Sequence, residues 1–156
     1  MEKKNLNPEW FQAAELELVY KTKVKPSQRP LIASSSDINK LFRNTWSEAK
    51  IEMVEEFKVA YLNRANRVLG VLEVSTGGIT GCVADPRIIL AGALKINAVN
   101  IILVHNHPSG STKPSRADQQ LTAKIKEAAR FLDMDVLDHL IITDDGYYSF
   151  ADEGLI

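Results

Sequence analysis

The sequence predicts an α+β fold, close to a three-layer α/β arrangement, in which helices flank a mixed and largely antiparallel sheet. Three observations lead to this prediction. Several short apolar segments have the length of strands, loops of hairpin composition separate some of them, and longer segments repeat apolar residues at helical spacing. Strands outnumber helices, and the combination of hairpins with helices is typical of the α+β class.

Length and composition fit a single globular domain. The chain has 156 residues, of which 45% are hydrophobic and 25% charged, and a chain of this length can bury about two thirds of its unfolded surface around one core. Residues 1–30 are expected to form an N-terminal leader with the first strand, and residues 31–156 the rest of the same domain. The single cysteine, Cys82, excludes an internal disulfide and is expected to be a small core residue.

The charge balance argues against a nucleic-acid-binding or membrane-surface protein. Lys and Arg together number 19 and Asp and Glu together number 20, which gives a formal net charge of −1. Such a balance provides no overall attraction to phosphate backbones or anionic lipids. No apolar run approaches the ~18 residues of a membrane span, and the N-terminus has no signal-peptide pattern, so we expect a cytoplasmic protein.

The first third of the chain predicts a strand followed by a helix. Residues 14–24 alternate apolar and polar side chains, which is the pattern of a half-buried strand. Prolines end this pattern, and residues 31–32 could form a short extension at a sheet edge. Asp37 or Ser36 can cap a helix whose apolar side chains recur at helical spacing. These side chains are Ile38, Leu41 and Phe42, with Trp46 one turn further.

The middle of the chain predicts a hairpin and a further strand. Residues 55–62 and 67–74 have strand composition, and residues 63–66 between them have the composition of a hairpin loop. Two glycines within residues 75–78 indicate a second turn. Residues 79–83 are then expected to form another strand.

The last part of the chain predicts two helices and the remaining strands. Asp85 and Pro86 suit the N-cap and the first position of one helix. An apolar strand at residues 99–104 follows, and residues 115–132 show the longest helical pattern, with one apolar face. Apolar strands at residues 136–142 and 147–150 complete the predicted sheet.

Two histidines that follow the strand predicted at residues 99–104 give the strongest functional indication. Residues i and i+2 of a strand point to the same face, so His105 and His107 can aim both imidazoles at one point, and imidazole is the commonest protein metal ligand. Ser115 suits a helix N-cap, which places Asp118 in the first turn of that helix. Taken singly, each feature could be structural only. Together they predict a catalytic zinc site with Asp118 as the third protein ligand.

The spacing of these residues resembles a known metalloprotease signature. His105-x-His107, seven residues, Ser115, two residues and Asp118 is similar to the JAMM motif of the JAB/MPN metalloprotease superfamily. Within it, the sequence HNHPSG at residues 105–110 resembles the RadC-type branch, whose members were historically called DNA repair proteins.

The resemblance extends from about Glu55 to the C-terminus and implies the JAB/MPN, cytidine-deaminase-like architecture for residues 31–156. Asn106 stands where deubiquitinase members carry Ser or Thr. This difference fits the RadC branch and weakens any transfer of ubiquitin as a substrate. Asn106 points away from the histidines on a strand, and we expect it to tie the loop to neighbouring backbone.

The family resemblance implies a zinc ion held by His105, His107 and Asp118, and a catalytic glutamate in an upstream strand. Two imidazoles and one carboxylate leave the ion with residual positive charge, which lowers the pKa of a bound water to ~7. We take Glu55 as the base, because its Glu-x-Phe pattern resembles the position of the RadC-type glutamate. Glu56 is the alternative. Neighbours on a strand point to opposite faces, so only one can face the ion, and the other is expected at a solvated strand entry.

Ser115 and His139 have two interpretations each. The resemblance favours a Ser115 hydroxyl that donates to the developing oxyanion or to the zinc-bound water, although it could serve the helix cap alone. His139 follows Asp138 and could in principle bind the ion. A fourth protein ligand would close the site, so we expect His139 to be structural support for it.

The sequence therefore predicts a zinc-dependent metallohydrolase of JAMM type, with Zn²⁺ as cofactor and a peptide or isopeptide bond as substrate. The alternative is a RadC-like, DNA-repair-associated protein that interacts with nucleic acid or its partners without proteolysis. The near-neutral charge argues against direct nucleic-acid contact by this chain. A metal-free scaffold is disfavoured because every motif residue is present. Edge strands in this superfamily also allow a homodimer.

Overall fold

A mixed β-sheet with helices on both faces organises the chain. The computed structural model describes residues 22–78 and 81–156. A 3₁₀ turn at Pro26–Gln28 comes first. The helices and strands that follow are α1 (Ser35–Arg43), α2 (Glu48–Ile51), β1 (Glu56–Leu62), β2 (Val68–Thr76), α3 (Pro86–Lys95), β3 (Asn100–Asn106), α4 (Arg116–Arg130), β4 (Asp135–Ile142) and β5 (Tyr147–Ser149).

The described residues form a five-stranded sheet in the order β2-β1-β3-β4-β5. β3 and β4 are parallel, whereas the other neighbouring strands in this sheet are antiparallel. The register between β1 and β3 places Phe57 opposite His105. The predicted α+β class, with a mixed and largely antiparallel sheet flanked by helices, is confirmed.

The central strand β3 divides its side chains between two cores. Ile101 and Leu103 pack on the face covered by α3 and α4. Ile102 and Val104 pack on the opposite face, which α1 and α2 cover. Because side chains alternate along a strand, His105 lies on the α3 and α4 side. Both faces of β3 are buried, as expected for a strand at the centre of a three-layer fold.

The helix starts follow from local capping. Asp85 caps α3 by accepting a hydrogen bond from the backbone N–H of Arg87, as predicted. The predicted cap of α1 at Asp37 or Ser36 is wrong, because Ser34 is the N-cap and its hydroxyl accepts from the N–H of Asp37 at 3.3 Å. The Asp37 carboxylate, in the first turn, accepts in return from the N–H of Ala33 at 3.1 Å. This bond ties the residue before the N-cap to the helix.

Two predicted strands have different outcomes. The strand at residues 14–24 lies almost entirely outside the described residues, and residues 22–24 are not in a strand. For the strand predicted at 79–83, the first two residues also lie outside, and residues 81–83 are irregular. Residues 81–83 pair with none of the five described strands, and Val83 is 88% exposed, so this segment has no apolar face to bury against the sheet. None of the described helices is both long and apolar enough to cross a membrane.

The buried side chains of β3 should contribute strongly to the free energy of unfolding. Leu103 is fully buried in the central strand, and Leu103→Ala should lower the free energy of unfolding by about 2–5 kcal/mol. Leu94→Ala is the matched control, because Leu94 is 52% exposed on α3 and such changes usually stay within about 0.5 kcal/mol. Urea unfolding measures both variants. Equal losses in the two would contradict the placement of the core.

Candidate metal centre

Three side chains converge at the end of the central strand. The Nε2 atoms of His105 and His107 are 2.9 Å apart. Asp118 Oδ1 is 3.3 Å from His105 Nε2, and its Oδ2 is 3.6 Å from His107 Nε2. Ligand atoms about 2.0–2.2 Å from one tetrahedral zinc ion lie roughly 3.3–3.5 Å from each other. The two Asp118 distances are close to this range and the Nε2–Nε2 distance of 2.9 Å is shorter, so with a small adjustment the three groups could hold a single metal ion.

Strand β3 and the parallel strand β4 deliver the two histidines. His105 lies within β3 and is 1% exposed. His107 follows the end of the strand, where its backbone N–H still donates to the carbonyl of Ile142 in β4 at 3.0 Å. This bond extends the β3–β4 pairing to His107 and fixes the backbone between the two imidazoles.

The first turn of α4 delivers the carboxylate. Ser115 is the N-cap, as predicted, and its hydroxyl accepts from the N–H of Asp118 at 3.1 Å. Asp118 Oδ2 accepts in return from the N–H of Ser115 at 2.7 Å. This capping box orients the carboxylate, and it leaves the Ser115 hydroxyl proton free to donate elsewhere. Burial opposes ionisation of Asp118, but its contacts with His105 and His107 outweigh burial and hold the pKa well below its ordinary value.

A backbone carbonyl sets the tautomer of His107. The Nδ1 atom of His107 lies 2.7 Å from the carbonyl oxygen of Ser111. A carbonyl can only accept, so Nδ1 carries a proton and donates it. In the neutral ring, Nε2 is then the bare nitrogen, and it faces the site. The contact with Asp118 raises the pKa of His107, and burial opposes this effect.

His139 lies behind His105 rather than among the three donor atoms. Its Nε2 is 2.8 Å from Nδ1 of His105, and its ring stacks on Phe150 at a centroid distance of 4.7 Å. His139 is completely buried, and this burial holds its pKa well below the ordinary value, which keeps the ring neutral. Phe57 stacks on the other ring of the pair, His105, at 5.8 Å.

The two candidate glutamates occupy opposite faces of the sheet. Glu55 immediately precedes β1 and lines the same cleft as His107 and Asp118. Glu56 points away from this cleft and is 1% exposed. Its carboxylate oxygens lie 3.3 Å from Lys58 Nζ and 3.4 Å from Lys50 Nζ.

The expectation that the second glutamate lies at a solvated strand entry is therefore wrong. The segment around α2 covers this face of β1, and the ammonium group of Lys58, itself 6% exposed, lies 4.2 Å above the ring of Trp46. An unpaired buried carboxylate would be costly, and the two lysines compensate Glu56. Glu56 is thus held in a buried group of ion pairs with Lys58 and Lys50, whereas Glu55 lines the cleft.

Asn106 ties the segment that carries Glu55 to strand β3. Its side-chain amide donates to the carbonyls of Ile51 at 2.7 Å and Val54 at 2.8 Å. Its Oδ1 accepts from the N–H of Glu56 at 2.7 Å. The expected tie to neighbouring backbone is confirmed. Asn106 is completely buried, and these bonds hold the backbone on both sides of Glu55.

A cleft of about 490 Å³ opens beside two of the three donors, His107 and Asp118. Glu55, His107, Lys113 and Ser115 are among the residues that line it. Cys82 also lines it and contacts the Ser75 hydroxyl at 2.8 Å. Cys82 is half-buried and packs against the core on the α3 and α4 side, so its expected core position is partly right, but its segment is not a strand. Burial raises the pKa of the Cys82 thiol.

Comparisons with known proteins agree with the motif. The profile of the family described as RadC-like JAB domain matches residues 32–155. A UPF0758 protein of Flavobacterium johnsoniae is 50% identical over 101 residues, which cover 65% of this chain and 44% of that protein. A UPF0758 protein of Streptococcus gordonii is 44% identical over 114 residues, covering 73% and 50% of the two chains.

A UPF0758 protein of Rubrobacter xylanophilus matches over a longer range. It is 33% identical over 144 residues, which cover 92% of this chain and 62% of that protein. The chain spans about half the length of several curated relatives that it matches.

The Asn106 tie should be more important for stability than an ordinary side-chain hydrogen bond. Asn106→Ala removes three bonds to buried backbone, and each buried group left without a partner costs about 1–3 kcal/mol. Urea unfolding should show a loss of at least ~2 kcal/mol. Asn100→Ala is the control, because the Asn100 amide makes one 2.7 Å bond to Asn66. If Asn106→Ala is no more destabilising than this control, the tie is unimportant.

Proposed function

The chain belongs to the RadC-like JAB domain family, and from this membership and the three converging donors we propose that it is a zinc-dependent hydrolase of JAMM type. The proposed reaction is the cleavage of a peptide or isopeptide amide bond. The observation that supports it most is the contact of His105, His107 and Asp118 with one another, at distances of 2.9–3.6 Å.

His105, His107 and Asp118 are the proposed zinc ligands. Two imidazole nitrogens and one carboxylate oxygen suit zinc, whereas Ca²⁺ and Mg²⁺ prefer sites built from oxygen alone. Three protein ligands leave one coordination position for water or substrate. Zinc bound in such a site polarises a carbonyl and lowers the pKa of a bound water to about 7.

Glu55 is the proposed general base. It lines the cleft beside the ligands, and no ion pair with a lysine or arginine is found for it in the described part of the chain. Its carboxylate can accept a proton from the attacking water and return it to the departing amine. The tie by Asn106 fixes the backbone that carries this carboxylate, which reduces the ordering that the base requires in each cycle.

Ser115 is the proposed donor to the oxyanion of the tetrahedral intermediate. Its hydroxyl oxygen accepts the N–H of Asp118 in the helix cap, and its own proton stays available. Ser115 lines the cleft next to Asp118. A well-placed donor of this kind contributes about 3 kcal/mol to transition-state stabilisation.

The proposed substrate is a peptide or protein segment. The loop that contains Ser109 and Lys113 lines the cleft, and a cleft of about 490 Å³ has room for a short extended segment of chain. The formal net charge of −1 provides no general attraction to nucleic acid.

Loss of one ligand should remove the metal. The wild-type protein should contain one zinc ion per chain, and His107→Ala should retain at least tenfold less after dialysis, because two ligands bind zinc far more weakly than three. Inductively coupled plasma mass spectrometry of both proteins measures this difference. An unchanged zinc content in His107→Ala would contradict the ligand assignment.

The base can be tested separately from the metal. Glu55→Gln should keep zinc and lower the turnover of a quenched fluorescent peptide library by about 10²–10⁴-fold, because an amide cannot accept the proton. Glu153→Gln is the control, since Glu153 is an exposed glutamate near the C-terminus. Full activity of Glu55→Gln would show that another group is the base.

A further inference from the structure

A buried chain of hydrogen bonds connects the backbone of Asp118 to the imidazole of His105. Thr122 Oγ1 lies 2.7 Å from the carbonyl oxygen of Asp118, one helical turn earlier in α4. The same Oγ1 lies 2.6 Å from Nδ1 of His139. Nε2 of His139 lies 2.8 Å from Nδ1 of His105. Thr122, His139 and His105 are each at most 3% exposed, so water does not compete for these bonds.

The donor and acceptor of every hydrogen bond in this series follow from the carbonyl of Asp118 at its end. The Asp118 carbonyl can only accept, so the Thr122 hydroxyl donates its single proton there. The Thr122 oxygen must then accept from His139, and Nδ1 of His139 carries the proton of this neutral ring. Nε2 of His139 is therefore bare, and it accepts the proton on Nδ1 of His105.

This order leaves Nε2 of His105 without a proton. That atom is the one that faces His107 and Asp118. Nε2 of His107 is also bare in its neutral ring, so the 2.9 Å separation between the two Nε2 atoms places two acceptors in contact, which a proton or a bound cation between them would satisfy. The tautomer of each histidine is thus set by a backbone carbonyl, directly for His107 and through His139 and Thr122 for His105. For His107 this is the carbonyl of Ser111, and for His105 it is that of Asp118.

We propose that Thr122, acting through His139, is a positioning residue that holds His105 in the Nδ1-protonated tautomer and so prepares its Nε2 to bind the metal. The proposal rests on the metal site proposed above. It assigns a role to two residues that do not touch the ion or the substrate. It also links the two ligands, because the same hydroxyl bonds to the backbone carbonyl of Asp118 and, through His139, to the ring of His105.

Replacing Thr122 by valine tests this role with little change of shape. Valine can neither donate to the Asp118 carbonyl nor accept from His139. The Nδ1–H of His139 would be left buried without an acceptor, which is unfavourable. The alternative is a shift of both rings to their other tautomers, with Nε2 of His105 protonated and donating to Asp118. That form cannot bind a metal until the proton moves.

The first measurement is the tautomer of His105 in the zinc-free protein, from long-range ¹H–¹⁵N correlation spectra of the full chain. The wild-type protein should show His105 with its proton on Nδ1. Thr122→Val should show the Nε2-protonated form, and Thr122→Ser, which keeps the hydroxyl, should restore the wild-type pattern. A wild-type His105 that carries its proton on Nε2 would overturn the proposal, and this result does not depend on any variant.

The second measurement is the affinity for zinc, from competition with a chromophoric chelator. Loss of an outer hydrogen-bond partner usually weakens metal binding by about 10–100-fold, and we expect a loss of this size for Thr122→Val and near-wild-type affinity for Thr122→Ser. Wild-type affinity in Thr122→Val would contradict the proposal. A wild-type protein that binds no zinc would instead contradict the proposed function, and the tautomer measurement keeps the two failures distinct.

Discussion

The alternation of side chains along β3 is the constraint on which the site depends. His105 faces the side of α3 and α4, where the ligands meet, and Asn106 faces the opposite side, where it ties down the backbone around Glu55. A shift of β3 by one residue would exchange these two side chains and destroy both arrangements. Apolar residues in both cores, such as Leu103 and Val104, oppose that shift. The same packing that stabilises the sheet therefore positions the chemistry.

The polar groups beneath the candidate site are satisfied by one another. Buried polar groups are costly unless they are hydrogen-bonded, and a fully satisfied network is rigid. His105, His139 and Thr122 form such a network on one side of the donors. The capping box of α4 fixes the carboxylate on the other side. The ligand atoms are thus held near each other by contacts that do not involve a metal, which reduces the ordering that metal binding requires.

The sequence was most informative where a residue's role is local. The cap at Ser115, the cap at Asp85 and the inward direction of His105 depend on a few neighbouring residues, and the structure agrees with each. The sequence was less informative where a role depends on distant partners. Glu56 is buried because Lys58 and Lys50 compensate its charge, and the composition of the strand entry does not indicate this.

Thr122 shows the same limit, because its position four residues after Asp118 is its only signal in the sequence and His139 is 17 residues away.

The most direct test of the central claim is an anomalous difference map, measured at the zinc edge, from crystals of the zinc-loaded protein. The account predicts one strong peak about 2 Å from Nε2 of His105, Nε2 of His107 and a carboxylate oxygen of Asp118. A peak bound to other residues, or no peak at these three atoms, would contradict it.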